Sequence, residues 1–133
     1  MARFSRDRRI RKRSEYLLAQ GCGVTARTRH FVVIVYFRES DDLPRLGIVA
    51  SKRVGNAVTR NRGKRKLRQW FHSHESMTAP GADVVVILKQ GAADLDAPSI
   101  AAEIDGVLPR LVHKAQAVFS KARTCTDDAK NAP

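Results

Sequence analysis

Apolar and polar positions follow two different rhythms along this chain. From His30 to Arg38 the sequence HFVVIVYFR is β-branched or aromatic almost throughout, and Asp83 to Lys89 (DVVVILK) repeats the pattern. Such runs predict strands, and their unbroken apolar character predicts central strands covered at least partly on both faces. Arg45 to Ser51 predicts a shorter strand, returning antiparallel to the first through a hairpin connection at Glu39 to Pro44.

Elsewhere the spacing is helical. Ser14 to Ala19 predicts a short helix that stops before Gly21 and Gly23, and Ala57 to His72 predicts a longer one. Pro80-Gly81 marks a turn before the third strand. Asp96 to Ser99 opens a last helix running to about Arg123, with Ile100, Ile104, Leu108, Leu111, Ala115, Val118 and Phe119 down one face. Pro109 falls inside it and should kink or split it. The order α-β-β-α-β-α gives an α+β fold, a small mixed β-sheet covered by helices. If the strands flanking the middle helix are parallel neighbours, a right-handed crossover is the ordinary expectation. Residues 14–123 form the single domain, 1–13 a basic arm and 124–133 a disordered tail.

A chain of 133 residues can bury a substantial core without staples. Two cysteines, Cys22 and Cys125, stand far apart without metal-ligand spacing, which argues against a disulfide framework or a zinc site. No apolar run approaches a membrane span and no secretory h-region follows the basic start, so a soluble, cytoplasmic protein is expected. The net charge of +12, from 25 basic and 13 acidic residues, points instead to a polyanionic partner.

That charge is concentrated. Arg60, Arg62, Lys64, Arg65, Lys66 and Arg68 place six cations within nine residues, and no acid occurs between Leu46 and His74. A solvated helix gains from acids three or four residues from its bases, and here that compensation is missing. On a helical wheel Gly63, Leu67, Trp70 and Phe71 form the packing side. Asn61, Arg62, Arg65, Arg68 and Gln69 lie opposite, with Arg60 and Lys64 flanking the apolar stripe. Arginine forks match phosphate oxygens, and Asn61 can both donate to and accept from ribose, phosphate or base edges. Upstream, Gly55 permits positive φ and Asn56 is a candidate N-cap. A DNA-binding role is disfavoured, because the helix lies between strands and lacks a helix-turn-helix partner.

Ser51-Lys52-Arg53, Gly55-Asn56-Ala57-Val58, Arg60-Asn61-Arg62 and Lys64-Arg65 together resemble the signature of the protein subunit of bacterial ribonuclease P. Glu15-Tyr16, Gly23, Phe31, Arg45, Gly47 and Asp83 fall in matching order, and the resemblance extends over about Arg6 to Phe119. It implies a ribosomal-protein-like α-β sandwich with a left-handed crossover around the basic helix. It also implies a ribonucleoprotein endonuclease in which the RNA subunit, with bound Mg2+, removes the 5′ leader of precursor tRNA. This chain would bind that RNA and the leader, carrying no catalytic residue, metal site or organic cofactor of its own, and contacting neither membrane nor DNA. The resemblance assigns Arg60, Asn61, Arg62, Lys64, Arg65 and Arg68 to the RNA subunit, and Tyr16, Phe31, Lys52 and Arg53 to a leader-binding cleft. Gln20 stands where many members have a second aromatic, Gly63 where most have a larger apolar residue, and Leu88-Lys89 where Ala-Arg is common. The residues themselves agree on catalysis: Asp41-Asp42, Asp94 with Asp96, and Asp127-Asp128 fall in polar loops or the tail, not in a converging carboxylate set that would hold catalytic ions. A ribosomal protein or RNA chaperone is the alternative class.

Overall fold

The computed structural model describes residues 9–10, 12–38, 44–73 and 80–131, with side chains described as far as residue 120. Most of the basic arm and of the expected connection at Glu39 to Pro44 lies outside them. The elements run α1 (Arg13–Cys22), β1 (Val24–Arg27), β2 (Phe31–Phe37), β3 (Arg45–Val49), α2 (Ala57–Ser73), β4 (Ala82–Leu88), a 3₁₀ turn at Ala92–Asp94, α3 (Ala97–Asp105) and α4 (Leu108–Asn131).

The four strands are ordered β1-β2-β4-β3. β2 pairs antiparallel with both β1 and β4, and β4 pairs parallel with β3, so α2 is the crossover between parallel neighbours. The expected pairing of β3 with the first long strand is therefore corrected: the two run in opposite directions, but β4 lies between them. The reason is burial. Ala82 to Val86 are buried without interruption, as in a central strand covered on both faces, whereas the five-residue β3, buried only at Leu46 and Gly47, takes the edge. The actual hairpin is β1–β2. No sequence pattern marks β1, because Val24-Thr25-Ala26-Arg27 has only alternate half-buried positions and no apolar run.

Strand alternation divides the core. Phe31, Val33, Val35 and Phe37 join Val84, Val86 and Leu88 beneath α2, α3 and α4. Ile34 and Val85 face the other way and are covered by Ala19 of α1 and by Ile10. Ile10 donates its N–H to Leu46 O at 3.0 Å, so the chain entering α1 lies along the outer edge of β3.

The helix expected over 96–123 is split, as Pro109 foretold: α3 ends before Gly106, and Pro109 sits in the first turn of α4, where its missing N–H has no helical partner to lose. Asp96 caps α3 by accepting from Ser99 N–H at 3.0 Å. The backbone of α4 stays helical to Asn131, past the expected end at Arg123 and into the segment read as a tail. Val118, expected on the packing face, is 47% exposed, while Ala115 is buried.

Candidate nucleic-acid interface

α2 starts where the sequence requires it. Gly55 has φ +148°, and a Cβ there would lie 2.8 Å from Thr59 Cγ2. Asn56 Oδ1 then accepts from Thr59 N–H at 2.9 Å, the side-chain cap of the helix. Gly63, Leu67, Trp70 and Phe71 are its buried positions, as the wheel predicted. Trp70 Nε1 donates to Asp105 Oδ1 at 3.1 Å, tying the helix to α3.

The cations of α2 have three different fates. Asn61 and Arg65 stand on the exposed ridge with Val58, Gln69 and His72. Arg60, Lys64 and Arg68 are partly buried on the flanks and meet no carboxylate among the described residues. Arg68 lies toward α1 and the entering chain: partial burial and the nearby Arg9 charge both push its pKa below the usual guanidinium range, with Tyr16 acting weakly the other way. Arg62 and Lys66 turn to the opposite flank. Arg62 Nη2 pairs with Asp94 Oδ1 at 2.8 Å, and Lys66 Nζ donates to Ala93 O at 2.9 Å and Leu95 O at 2.8 Å. Arg62 is therefore a clamp on the 3₁₀ turn as well as a surface cation. Lys66 is an anchor, a role that its place in a run of cations does not reveal.

A second surface lies on the α1 side of the sheet. Tyr16 lies over Gly47, where a Cβ would come within 2.7 Å of its ring. Its hydroxyl donates to Ile10 O at 3.0 Å and accepts from Ile48 N–H at 3.3 Å, and burial pushes its pKa up. One end of α1 is fixed by charge. Asp83, the one buried charged side chain among the described residues, accepts hydrogen bonds from Arg45 Nε and Nη2 at 2.9 and 2.8 Å and is ion-paired with Arg38, whose Nε lies 2.7 Å away. Arg45 Nη2 also reaches Glu15 Oε2 at 2.7 Å. Burial alone would raise the Glu15 pKa; the hydrogen bond and charge of Arg45 outweigh it and hold the carboxyl low.

Beside α1, in the next row of the sheet, Val32, Ile87 and Val49 are register partners and half-buried. They form an apolar floor with α1 as its wall. Lys52 and Arg53 are exposed in the turn that leaves β3 just after Val49. Phe31 is not part of this cleft. It is fully buried on the opposite face, in the core beneath the other helices, because strand periodicity points residue 31 away from where Val32 points. The side chain that β2 turns toward α1 at this place is the half-buried Val32, which the apolar run of β2 conceals. Gln20 is exposed on α1.

Among the described residues no group of three or more His, Cys, Asp or Glu side chains is placed to hold a metal ion, and no helix is long and apolar enough to cross a membrane.

Comparison with known proteins converges on one family. The family model described as Ribonuclease P matches residues 4–112. The ribonuclease P protein component of Halalkalibacterium halodurans is 34% identical over 120 residues, covering 90% of this chain and 98% of that protein. The Shouchella clausii component is 38% identical over 107 residues, or 80% of this chain and 88% of that one. Among solved structures, the Staphylococcus aureus RNase P protein matches with TM-score 0.67 and 34% identity, over 84% of this chain and 97% of that chain. The Thermotoga maritima RNase P protein matches with TM-score 0.68 and 29% identity, over 77% and 96% respectively. With its fold, its basic crossover helix and these relatives in agreement, the chain belongs to the ribonuclease P protein family, whose work is tRNA processing.

Proposed function

We propose that this chain binds the catalytic RNA subunit of ribonuclease P through α2 and holds the 5′ leader of precursor tRNA in the cleft beside α1. In this reading it assists Mg2+-dependent endonucleolytic removal of the leader. The RNA breaks the bond, and the magnesium ions are held mainly by that RNA.

The observation that carries the reading is the charge on α2: Arg60, Lys64, Arg65 and Arg68 have no carboxylate partner among the described residues, on a helix whose other side is locked into the core. Folded RNA supplies the missing anions, and counterion release makes such binding favourable and salt-dependent. Arg65 and Asn61 meet it directly from the ridge, while Lys64, Arg60 and Arg68 support them from the flank. Arg62 contributes chiefly by fixing the helix. In the cleft, Tyr16 forms the wall, Val32, Ile87 and Val49 offer sequence-tolerant apolar contact, and Lys52 and Arg53 take phosphates.

Reconstitution tests this. The protein added to its RNA subunit should stimulate 5′ cleavage of precursor tRNA at low Mg2+, and the polypeptide alone should cut nothing. A ribosomal protein or general RNA chaperone would give no such stimulation. Absence of stimulation, or cleavage by the isolated chain, would overturn the proposal.

A further inference from the structure

We infer that Arg27 is a phosphate contact at the far end of the cleft, so that single-stranded RNA crosses the whole sheet transverse to its strands, from Lys52 and Arg53 to β1. The inference rests on the leader-binding reading above and extends it to a residue and a path.

The register supplies the geometry. Arg27 pairs with Val32, Val32 with Ile87, and Val49 with Ile87, so these four positions make one continuous row over β1, β2, β4 and β3. Partners in adjacent strands share a face. Val24 and Ala26 of β1 pack against the core beneath α2, α3 and α4, which turns Arg27 to the α1 side, with Val32. The preceding row, Ile34 and Val85, is buried under Ala19. The row from Arg27 to Val49 is the next one on that face, and its apolar members are only half-buried. It is also the last before the chain turns away: Thr28 opens the β1–β2 turn, Lys52 and Arg53 follow β3, and Lys89 follows β4.

Charge selects the occupant. Arg27 is exposed, and its guanidinium meets no acid among the described residues. The other side chains of the row are apolar, and the cations Lys52 and Arg53 stand beyond its opposite end. A strip with an apolar middle and positive ends suits a chain of flat bases joined by phosphates, where bases rest on the floor and phosphates meet the cations. Three strand spacings separate Val49 from Arg27, roughly 14–15 Å. Only a leader long enough to span that distance from the β3 side can reach Arg27. Nearby Lys89 is less available for this role, since its Nζ donates to Thr28 O at 2.7 Å and holds the β1–β2 turn.

The test uses the reconstituted holoenzyme and precursor tRNAs whose leaders lengthen one nucleotide at a time. Affinity is measured for the unaltered protein, Arg27→Gln, Arg27→Lys and Arg53→Gln. Arg53→Gln should weaken binding from short leaders onward. Arg27→Gln should leave short leaders unaffected and weaken long ones about two- to fivefold, the range of an exposed ion pair. Its log–log salt slope for long leaders should fall by about 0.7, one single-strand phosphate, and Arg27→Lys should restore most of both. Equal effects of Arg27→Gln at every leader length, or none at any, would overturn the inference while leaving the leader reading intact if Arg53→Gln still weakens binding only when a leader is present. If neither variant depends on the leader, the underlying reading fails too. Displacement of the leader by polyglutamate as readily as by an oligoribonucleotide of equal charge would mean a general acidic-peptide surface and would likewise overturn it.

Discussion

Gly63 and Leu88 should be energetically coupled, because each occupies the space the other leaves. Glycine inside a helix costs about 1 kcal/mol relative to alanine, so Gly63→Ala would be expected to stabilise α2 if space allowed. It does not: the new Cβ would lie 2.6 Å from Leu88 Cδ2 and 3.3 Å from Ala93 Cβ. Leu88 is only 4% exposed and has little room to yield, and overpacking of this kind costs about 1–3 kcal/mol. The net expectation for Gly63→Ala is a loss of about 0–2 kcal/mol. Leu88→Ala alone leaves a cavity and should cost about 2–5 kcal/mol. In the double variant the methyl group introduced by Gly63→Ala enters the vacated space, so the clash vanishes and the helix gain returns. The pair should then be more stable than the sum of the single effects by about 1–3 kcal/mol. Urea unfolding followed by fluorescence of Trp70, the single tryptophan, which is buried, measures all four corners of the cycle. Additivity within about 0.5 kcal/mol, or full stabilisation by Gly63→Ala alone, would refute the reasoning. The same argument links the two positions at which the sequence departs from what its resemblance implies: a large residue at 88 requires a small one at 63.

Three further outcomes are expected. Asp83→Ala should cost about 3–5 kcal/mol, because Arg38 and Arg45 lose their buried counter-charge; hydrogen exchange should show α1 loosening with it, and a loss below about 1 kcal/mol would contradict the role given to this network. Glu103 accepts from Thr28 Oγ1 at 2.6 Å and His30 N–H at 2.8 Å and pairs with His30 Nδ1 at 2.8 Å. Burial raises its pKa, but these contacts outweigh that and hold it below 4.5, so its stabilisation is complete above that value and lost as pH falls through the lowered pKa. Glu103→Gln should therefore lower the melting temperature at neutral pH and flatten the decline in acid, and parallel melting curves across pH would refute this. Arg65→Glu should weaken RNA-subunit binding and reduce its salt slope by about 0.9 if the phosphate is in a duplex, whereas Arg62→Glu should also lower the stability of the free protein through repulsion from Asp94. Identical behaviour of the two variants would remove the distinction drawn between ridge and clamp.

The parts of this molecule that could be read from sequence are those where one local signal decides. The buried side of α2, its cap at Asn56, the two long strands and the break at Pro109 all follow from periodicity, a capping side chain or a missing N–H. What could not be read depends on partners distant in sequence. β3 alone gives no sign that β4 will insert beside it, since that pairing is made with a segment that follows α2 in the chain. Phe31 shows the same limit at the scale of one residue. In a run where every position is apolar, nothing local says which alternate set faces the larger core and which, with Val32, faces α1. The different fates of the α2 cations were likewise hidden, because the carbonyls that bind Lys66 belong to a turn formed after another strand.

Lys66 tests whether that turn is what steadies the basic ridge. Arg62 and Lys66 are four apart on the helix, a like-charge spacing that costs about 0.2–0.5 kcal/mol, so removing the Lys66 charge would by itself stabilise the free protein. Against this stand its hydrogen bonds to Ala93 O and Leu95 O, each made by a charged donor in a partly buried place, a class typically worth about 1.5–3 kcal/mol. The second effect is larger. Lys66→Met, which keeps the length of the stem, should therefore destabilise the protein by at least about 1 kcal/mol, and added salt should not restore it, since what is lost is hydrogen bonding and not screened attraction. RNA-subunit affinity should fall less than for Arg65→Glu, because no ridge cation is removed. If Lys66→Met is neutral or stabilising in urea unfolding, repulsion along α2 outweighs its anchoring, and the helix is held chiefly by its buried side at Leu67, Trp70 and Phe71.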